Sequence, residues 1–340
     1  SPRLIRGEDW CSADRSSPRL IRGERGWDES HRLGIVRGVS PTDPIAVLRG
    51  AVSSSSSSSV AAPSVRTLAG AALAEPNLDA KFAMVADVAR RWQAGELGAG
   101  PAERLVHVDA VGRPDRPELV GLRELPPRRY GSVAGRAAVL HALAHIEANA
   151  VNLALDAVHR FDSVPIGFVG DWLGVAVDEV RHFRWVKGRL REFGVAYGDL
   201  AGHDGLWSMA RSTAHDLVER MALVPRFLEA RGLDVGPPMA DAFEGSGDAE
   251  SAAIVRRITV EEEPHVALGD RWFRWACSEV GLDPTQTYLR LLRERRLHLA
   301  PPVNVDARRR VGFSDDELTA APREGRRGSD GRHPLTARRI

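Results

Sequence analysis

Three glutamates stand where a helix would be expected to carry leucine. Over 132–161 the pattern is helical, and the neighbours of Glu147 on its face are Leu140, Leu143, Ala144, Val151 and Ala154. Over 167–193, Glu179 lies in a stripe of Trp172, Ala176, Phe183, Val186 and Leu190. Over 248–280, Glu262 lies among Ile254, Val255, Ile258, Val266, Gly269 and Phe273. A carboxylate on such a face is costly to bury unless it is paired, hydrogen-bonded or bound to a metal. Two of these glutamates also have a histidine three residues on, His182 and His265. That spacing puts both side chains on one side of the helix. A lone Glu-x-x-His is most often a surface ion pair or a satisfied core histidine. Two copies, each inside an apolar stripe, fit a helical bundle that holds two metals with one Glu from each of two helices and Glu-x-x-His from each of the other two. Carboxylate and imidazole donors suit two iron ions, with manganese or a mixed Fe/Mn pair as alternatives.

The segment 204–231 should then supply one more glutamate. Glu229 shares its face with Val218, Ala222 and Pro225, and Glu219 shares its own with Ser212, His215, Ala222 and Arg226. Spacing favours Glu229. Glu147 to Glu179 is 32 residues and Glu229 to Glu262 is 33, whereas Glu219 to Glu262 is 43. Depth from the helix start favours Glu219, because Gly232 implies a helix end close to Glu229. Glu229 is preferred and Glu219 is kept as the alternative.

Around these segments the chain divides into four stretches. Residues 1–63 repeat Ser-Pro-Arg-Leu-Ile-Arg-Gly-Glu at 1–8 and 17–24 and carry seven serines at 53–59. Such sequence cannot bury enough apolar surface to order itself, and it is expected to be a disordered low-complexity extension. Residues 64–131 read as two short helices to Gly95 and a Pro-, Gly- and Arg-rich extended linker. Residues 132–300 hold the four long helices, with Gly194 and Gly281 as ends and Asp204 and Asp248 as N-caps. Residues 301–340 read as an extended segment and a mobile tail. His141, His145, Asn149, Asn152, Asp156 and His159 form a polar stripe on the first helix, most simply its wet face. The fold expected is all-α: a four-helix bundle with short N-terminal helices and disordered tails.

Lys+Arg (47) and Asp+Glu (46) nearly cancel, so net charge points to no nucleic-acid or membrane partner. Two cysteines, Cys11 and Cys277, give no disulfide framework, and no secretory signal or membrane span is read. A cytoplasmic protein is expected.

At the site residues the chain resembles an uncharacterised bacterial family of ferritin-like proteins. The resemblance runs through His-Ala-Leu-Ala-His-Ile-Glu (141–147), Asp-Glu-Val-Arg-His-Phe (178–183), Ala-Gly-His-Asp-Gly-Leu-Trp (201–207) and Met-Ala-Leu-Val-Pro-Arg-Phe-Leu-Glu-Ala-Arg-Gly-Leu-Asp (221–234). It continues in His-Val-Ala-Leu-Gly-Asp-Arg-Trp-Phe (265–273) and Pro-Pro-Val-Asn-Val-Asp-Ala-Arg-Arg-Arg-Val-Gly-Phe (301–313), and covers about 64–320. It implies a ferritin-like fold and a di-metal site. More distantly, Glu-Ala-Arg at 229–231 looks like the third-helix ligand segment of the tRNA hydroxylases, which supports Glu229. Pro264 departs from the family pattern and puts a proline between Glu262 and His265.

The expected chemistry is oxygen activation by two ferrous ions, as an oxidase or hydroxylase of a small-molecule substrate. Iron oxidation or binding without an organic substrate, and a purely structural metal site, are the alternatives. Trp172, Trp185, Trp207, Trp272 and Trp275 are candidates to line a protected cavity, and His145 and His215 are candidates to support the ligands from behind. Rubrerythrins are disfavoured, since no Cys-x-x-Cys is present. Radical-generating reductase subunits are too, since Tyr130, Tyr197 and Tyr288 fall outside the four helices. Closed-shell ferritins fit poorly with the extra helices. Arg181, Arg184, Lys187, Arg189 and Arg191 form a basic run that could meet RNA, although such runs are usually solvated faces. A homodimer is compatible with the sequence.

Overall fold

In the computed structural model, residues 63–319 are described, apart from 103, 126 and 127. The octapeptide repeat, the serine run and the tail beyond 319 lie outside them. The described residues are helical and contain no strand; a single bridge joins Leu119 and Gly202. Helix α1 (Val65–Ala74) is capped by the Ser64 side chain, and α2 (Leu78–Gln93) by Asn77. After the linker come α3 (Val133–Arg160) and α4 (Ile166–Glu192), an antiparallel pair with an extensive shared face. Gly194 (φ 74°) follows α4, in the left-handed conformation that glycine adopts freely.

The third long element differs from the sequence reading. The segment 204–231 is not one helix. It holds α5 (Gly205–Ser212), a break, and then α6 (Leu217–Leu223), capped by Asp216. Helix α6 runs into a π-helical turn, Val224–Glu229, and on into α7 (Ala230–Gly245) without leaving helical geometry. Pro225 explains the turn. It has no N–H to bond back along the helix, and its ring crowds the carbonyl four residues earlier, so the coil widens. Gly232 lies inside the helix, and so Glu229 sits well away from the helix end.

Helix α8 (Ala249–Glu279) packs along α7, capped by Asp248, whose carboxylate accepts from Ser251 N–H at 3.0 Å. It passes through Pro264 unbroken, with that ring exposed. Gly236 lets α7 and α8 approach: a Cβ there would lie 2.1 Å from Thr259 Oγ1. Helix α9 (Pro284–Glu294) follows. Among the described residues beyond Pro301 the chain is not extended, for it forms α10 (Val305–Arg310) and α11 (Asp315–Thr319), both held by buried ion pairs.

The polar stripe of α3 is not a wet face. His141, His145, Asn149, Asn152, Asp156 and His159 are all buried. Helices α1 and α2, the linker and the loop after α4 cover them with matched partners. The Lys81 ammonium donates to Leu73 O, Gly112 O and Asn152 Oδ1. His159 Nε2 accepts from Val106 N–H at 2.8 Å, and its Nδ1 meets Arg66 O at 2.8 Å. Asp156 takes Arg160 and Arg220, and Arg220 also donates to Ala210 O and Thr213 Oγ1. Polar groups so satisfied can be buried at little cost. Between α2, α4 and the loop after α4, Phe183 meets Phe82 and Tyr197 edge-on, each with ring centres 5.1 Å apart. Each contact is worth ~0.5–1.5 kcal/mol beyond area burial. By length and apolar character α3 could cross a membrane, contrary to the sequence reading, but 89% of that window is buried inside the protein.

Candidate metal centre

The other face of α3 carries Glu147, and its neighbours are α4, the π turn and α8. Each contributes the residues singled out in the sequence. His182 Nδ1 lies 3.5 Å from Glu147 Oε2, 3.5 Å from Glu179 Oε2 and 3.3 Å from Glu262 Oε1. His265 Nδ1 lies 3.1 Å from Glu179 Oε1 and 3.4 Å from Glu262 Oε2. Glu179 and Glu262 therefore each turn one oxygen toward one imidazole and the other oxygen toward the second. The two rings are 5.8 Å apart. Glu147 stands beside His182. Glu229 lines the same cavity as Glu147, Glu179 and Glu262. Glu219 does not join them: its carboxylate is held by Arg295, with His215 at 4.0 Å.

The cluster is compatible with a metal. One donor atom each from Glu147, Glu179, His182 and Glu262 lie within 4.8 Å of one another. Four buried atoms here, Glu179 Oε2, Glu229 Oε2, His182 Nδ1 and His265 Nδ1, have no hydrogen-bond partner. Orphaned buried polar atoms are rare and call for an explanation, and an ion is one.

The outer nitrogens of both rings are partnered in a reciprocal way. His182 Nε2–H, on α4, donates to Glu261 of α8 at 3.0 Å. His265 Nε2–H, on α8, faces Asp178 of α4 at 3.3 Å. In the neutral rings these bonds would keep the proton on Nε2 and leave each Nδ1 lone pair free to face a metal at the centre. Asp178 and Glu261 were missed in the sequence, although each immediately precedes the glutamate of a Glu-x-x-His. Of the support candidates, His215 is exposed, and His145 bonds Tyr197 and the His203 carbonyl instead of the cluster.

Electrostatics shows how strongly the cluster demands positive charge. Burial pushes Glu229 up to about 8, helped by Glu179 and Glu262. Burial, with Glu179 and Glu262, also drives Glu147 well above the carboxylate range against the pull of His182. Burial opposes ionisation of Glu179 as well, but His182 and His265 outweigh it and hold that carboxyl well below its usual value. Burial favours neutral imidazoles, and the carboxylates overcome it, raising His182 to about 12 and His265 well above its ordinary value. Protons on these rings supply the charge that a cation would bring.

Beside the carboxylates the cavity wall is aliphatic: Leu143, Ile146, Leu153, Val235, Met239 and Ile258. None of the five tryptophans lines it. Trp185 stands behind His182, with ring centres 5.6 Å apart, between Arg181 and Arg257. In the basic run of α4, Arg181 pairs with Asp178 and Glu261, Arg189 with Asp248, Glu192 and Glu250, and Lys187 with Asp79.

No solved structure matches the chain. A protein of Haemophilus influenzae, described only as uncharacterized, is 42% identical over 213 residues, which is 60% of this chain and 74% of that protein. A family model described as "Protein of unknown function (DUF455)" matches residues 74–319, a span that takes in every residue of the cluster and of its cavity, and the chain belongs to that family.

Proposed function

We propose that this chain is a ferritin-like di-iron carboxylate protein that uses dioxygen to oxidise or hydroxylate an organic substrate. The observation that carries the reading is the convergence of Glu147, Glu179, His182, Glu229, Glu262 and His265 from four helical elements on one centre, four of them with a buried atom that has no hydrogen-bond partner. That matches the ligand plan of two-metal bundles, with Glu147 and Glu229 as the single glutamates and Glu179/His182 and Glu262/His265 as the paired ligands. Four carboxylates would offset the charge of two divalent ions, which Glu147, Glu179, His182, Glu229, Glu262 and His265 would hold. Manganese in one or both positions fits the same donors. Two ferrous ions held there would supply the electrons that reduce dioxygen. The protein's own part is to fix the ligands through Asp178 and Glu261 and to keep water from the aliphatic side of the centre. That aliphatic wall favours an organic substrate over iron as the only reductant.

The test is metal content after purification with iron supplied. The native chain is expected to hold two iron ions and Glu179→Ala to lose them. A native chain without metal would end the proposal. Oxygen uptake then separates the activities: a hydroxylase consumes it in step with a substrate, a ferroxidase in step with iron alone, and a structural site consumes none.

A further inference from the structure

The segment 201–207, Ala-Gly-His-Asp-Gly-Leu-Trp, a loop that leads into the first turn of α5, contributes no carboxylate to the cluster, yet almost every group in it is fixed. Gly202 N–H donates to Glu118 O at 2.8 Å, and Gly202 O accepts from Val120 N–H at 2.9 Å. A Cβ on Gly202 would come within 2.9 Å of the His145 ring. Asp204 pairs with Arg113 at 2.6 Å and with Arg211 at 3.2 Å. Trp207 is buried and donates from Nε1 to Val108 O at 2.9 Å. Leu206 reaches the cavity wall. So well-braced a loop presents its remaining side chain, His203, in a set position.

His203 also lines the cavity beside the carboxylates. Its Nδ1 accepts from Gly205 N–H at 3.1 Å, and its carbonyl accepts from His145 Nε2 at 3.0 Å. With Nδ1 accepting, the neutral ring carries its proton on Nε2. That N–H has no partner among the described residues. The cavity has few other polar groups outside the cluster. The Thr259 hydroxyl already donates to Val255 O at 2.8 Å. The rest of the lining is aliphatic side chains and the backbone of Gly232 and Gly236. His203 is half-buried, whereas Glu147, Glu179 and Glu262 are buried, so the free donor stands nearer to solvent than these three carboxylates do.

We infer that this cavity binds a neutral, largely apolar molecule bearing one hydrogen-bond acceptor, such as a ketone, ether or alcohol oxygen, and that His203 Nε2–H holds the acceptor while the apolar part faces the carboxylates. The inference names the substrate class of the oxygen-activating centre proposed above and rests on that reading for its catalytic meaning. An anion is disfavoured, because Glu147, Glu179, Glu229 and Glu262 already line the space. A fully apolar molecule would leave the histidine donor without a partner.

The test compares cyclohexanone with cyclohexane, which differ by one acceptor, by calorimetric titration of the full chain and of His203→Leu and His203→Gln. The native chain is expected to bind both. His203→Leu should weaken the ketone about three- to tenfold, the worth of one hydrogen bond, and leave cyclohexane unchanged. His203→Gln keeps an N–H and should retain most of the preference. Equal effects on the two ligands, an undiminished ketone affinity in His203→Leu, or no binding of either ligand overturns the inference. Iron content and circular dichroism are measured on the same samples. Ketone discrimination without iron would sink the di-iron reading and leave this one standing. Iron and oxygen uptake without discrimination would do the reverse.

Discussion

Glu261 touches no position proposed for a metal, yet its removal should weaken metal binding through His182. Its carboxylate accepts from His182 Nε2 at 3.0 Å, from Arg181 at 2.5 Å and from Arg257 at 3.1 Å. Partners of this kind orient a ligating imidazole and raise its basicity, and losing one typically costs about 10–100-fold in affinity, or ~1.4–2.7 kcal/mol. Glu261→Gln keeps a neutral acceptor and lies at the lower end, because a charge-assisted bond is roughly twice as strong as a neutral one. Glu261→Ala removes the acceptor and lies at the upper end. Asp178→Asn should cost less than Glu261→Gln, since Asp178 stands at 3.3 Å from its histidine. The assay is anaerobic competition between the protein and a chelating dye for ferrous iron, with metal-free circular dichroism as the control for folding. Both sites should still fill at high iron. If Glu261→Ala binds within twofold of the native chain while its fold is unchanged, the reciprocal histidine–carboxylate pairs do not tune the centre.

Glu261 also has a signature in acid. Burial pushes its pKa up, but Arg181, His182 and Arg257 together outweigh that and hold it at about 2, below the ordinary 4.5. A depressed carboxyl stabilises the fold above the unfolded value and loses that contribution as pH falls through the folded one. The stability gap between the native chain and Glu261→Gln should therefore shrink as pH drops from 4.5 toward 2 in denaturant titrations; a gap that widens would contradict the pairing.

Further outcomes follow from the same packing. Glu229→Ala should lower iron stoichiometry, whereas Glu219→Ala should leave it unchanged and shift stability by no more than ~1 kcal/mol, as for a partly exposed ion pair; equal iron loss in both would restore Glu219 as the ligand. Asp156→Ala strands Arg220 in the interior and should cost ~3–5 kcal/mol in urea unfolding, and a loss below ~1 kcal/mol would mean that water reaches this pair. Gly236→Ala pushes a methyl against Thr259 and should destabilise by ~1–3 kcal/mol; Thr259→Ala should recover much of that in the double variant, and strict additivity would refute a direct clash.

The long helices α3, α4 and α8 were legible because their signals are local: a repeating apolar stripe, capping side chains and a terminal glycine. The three misplaced glutamates were legible for the same reason, since each offends its own neighbours. What could not be read depended on distant partners. Periodicity showed that the stripe from His141 to His159 differs from the opposite face of α3, but could not say whether it meets water or Lys81, Arg66 and Tyr197. The third helix was cut short because a π turn shifts the helical phase by one residue, so the stripe before Pro225 does not predict the stripe after Glu229. Pro237 and Pro238 both lie inside α7, which continues through them. Asp178 and Glu261 could have been found by noticing that each Glu-x-x-His follows an acid, but pairing each acid with the other helix's histidine needed the antiparallel geometry.

Several charged residues without a role in the cluster tie the π turn and the start of α7 to the rest of the chain. Arg226, inside it, donates to Asp270 at 2.6 Å and through both terminal nitrogens to Glu317, among the rings of Phe273, Tyr288 and Phe313. Two residues past Glu229, Arg231 reaches the carbonyls of Ala300, Pro301 and Pro302. Asp234 takes Arg308 at 2.9 and 2.7 Å. On the opposite side Gly269 admits Pro225, where a Cβ would come within 2.4 Å. Buried ion pairs seldom add net stability over apolar packing, because desolvation consumes most of the Coulombic gain. They do penalise any other register heavily, since a slipped helix would leave Arg226, Asp234 and Glu317 charged and unpaired. A π turn is a one-residue insertion in the helix, and moving it along the helix would swing Glu229 off the cavity. The described part of 301–340, a stretch whose sequence reads as an extended segment and a mobile tail, thus straps the π turn and α7 and with them Glu229.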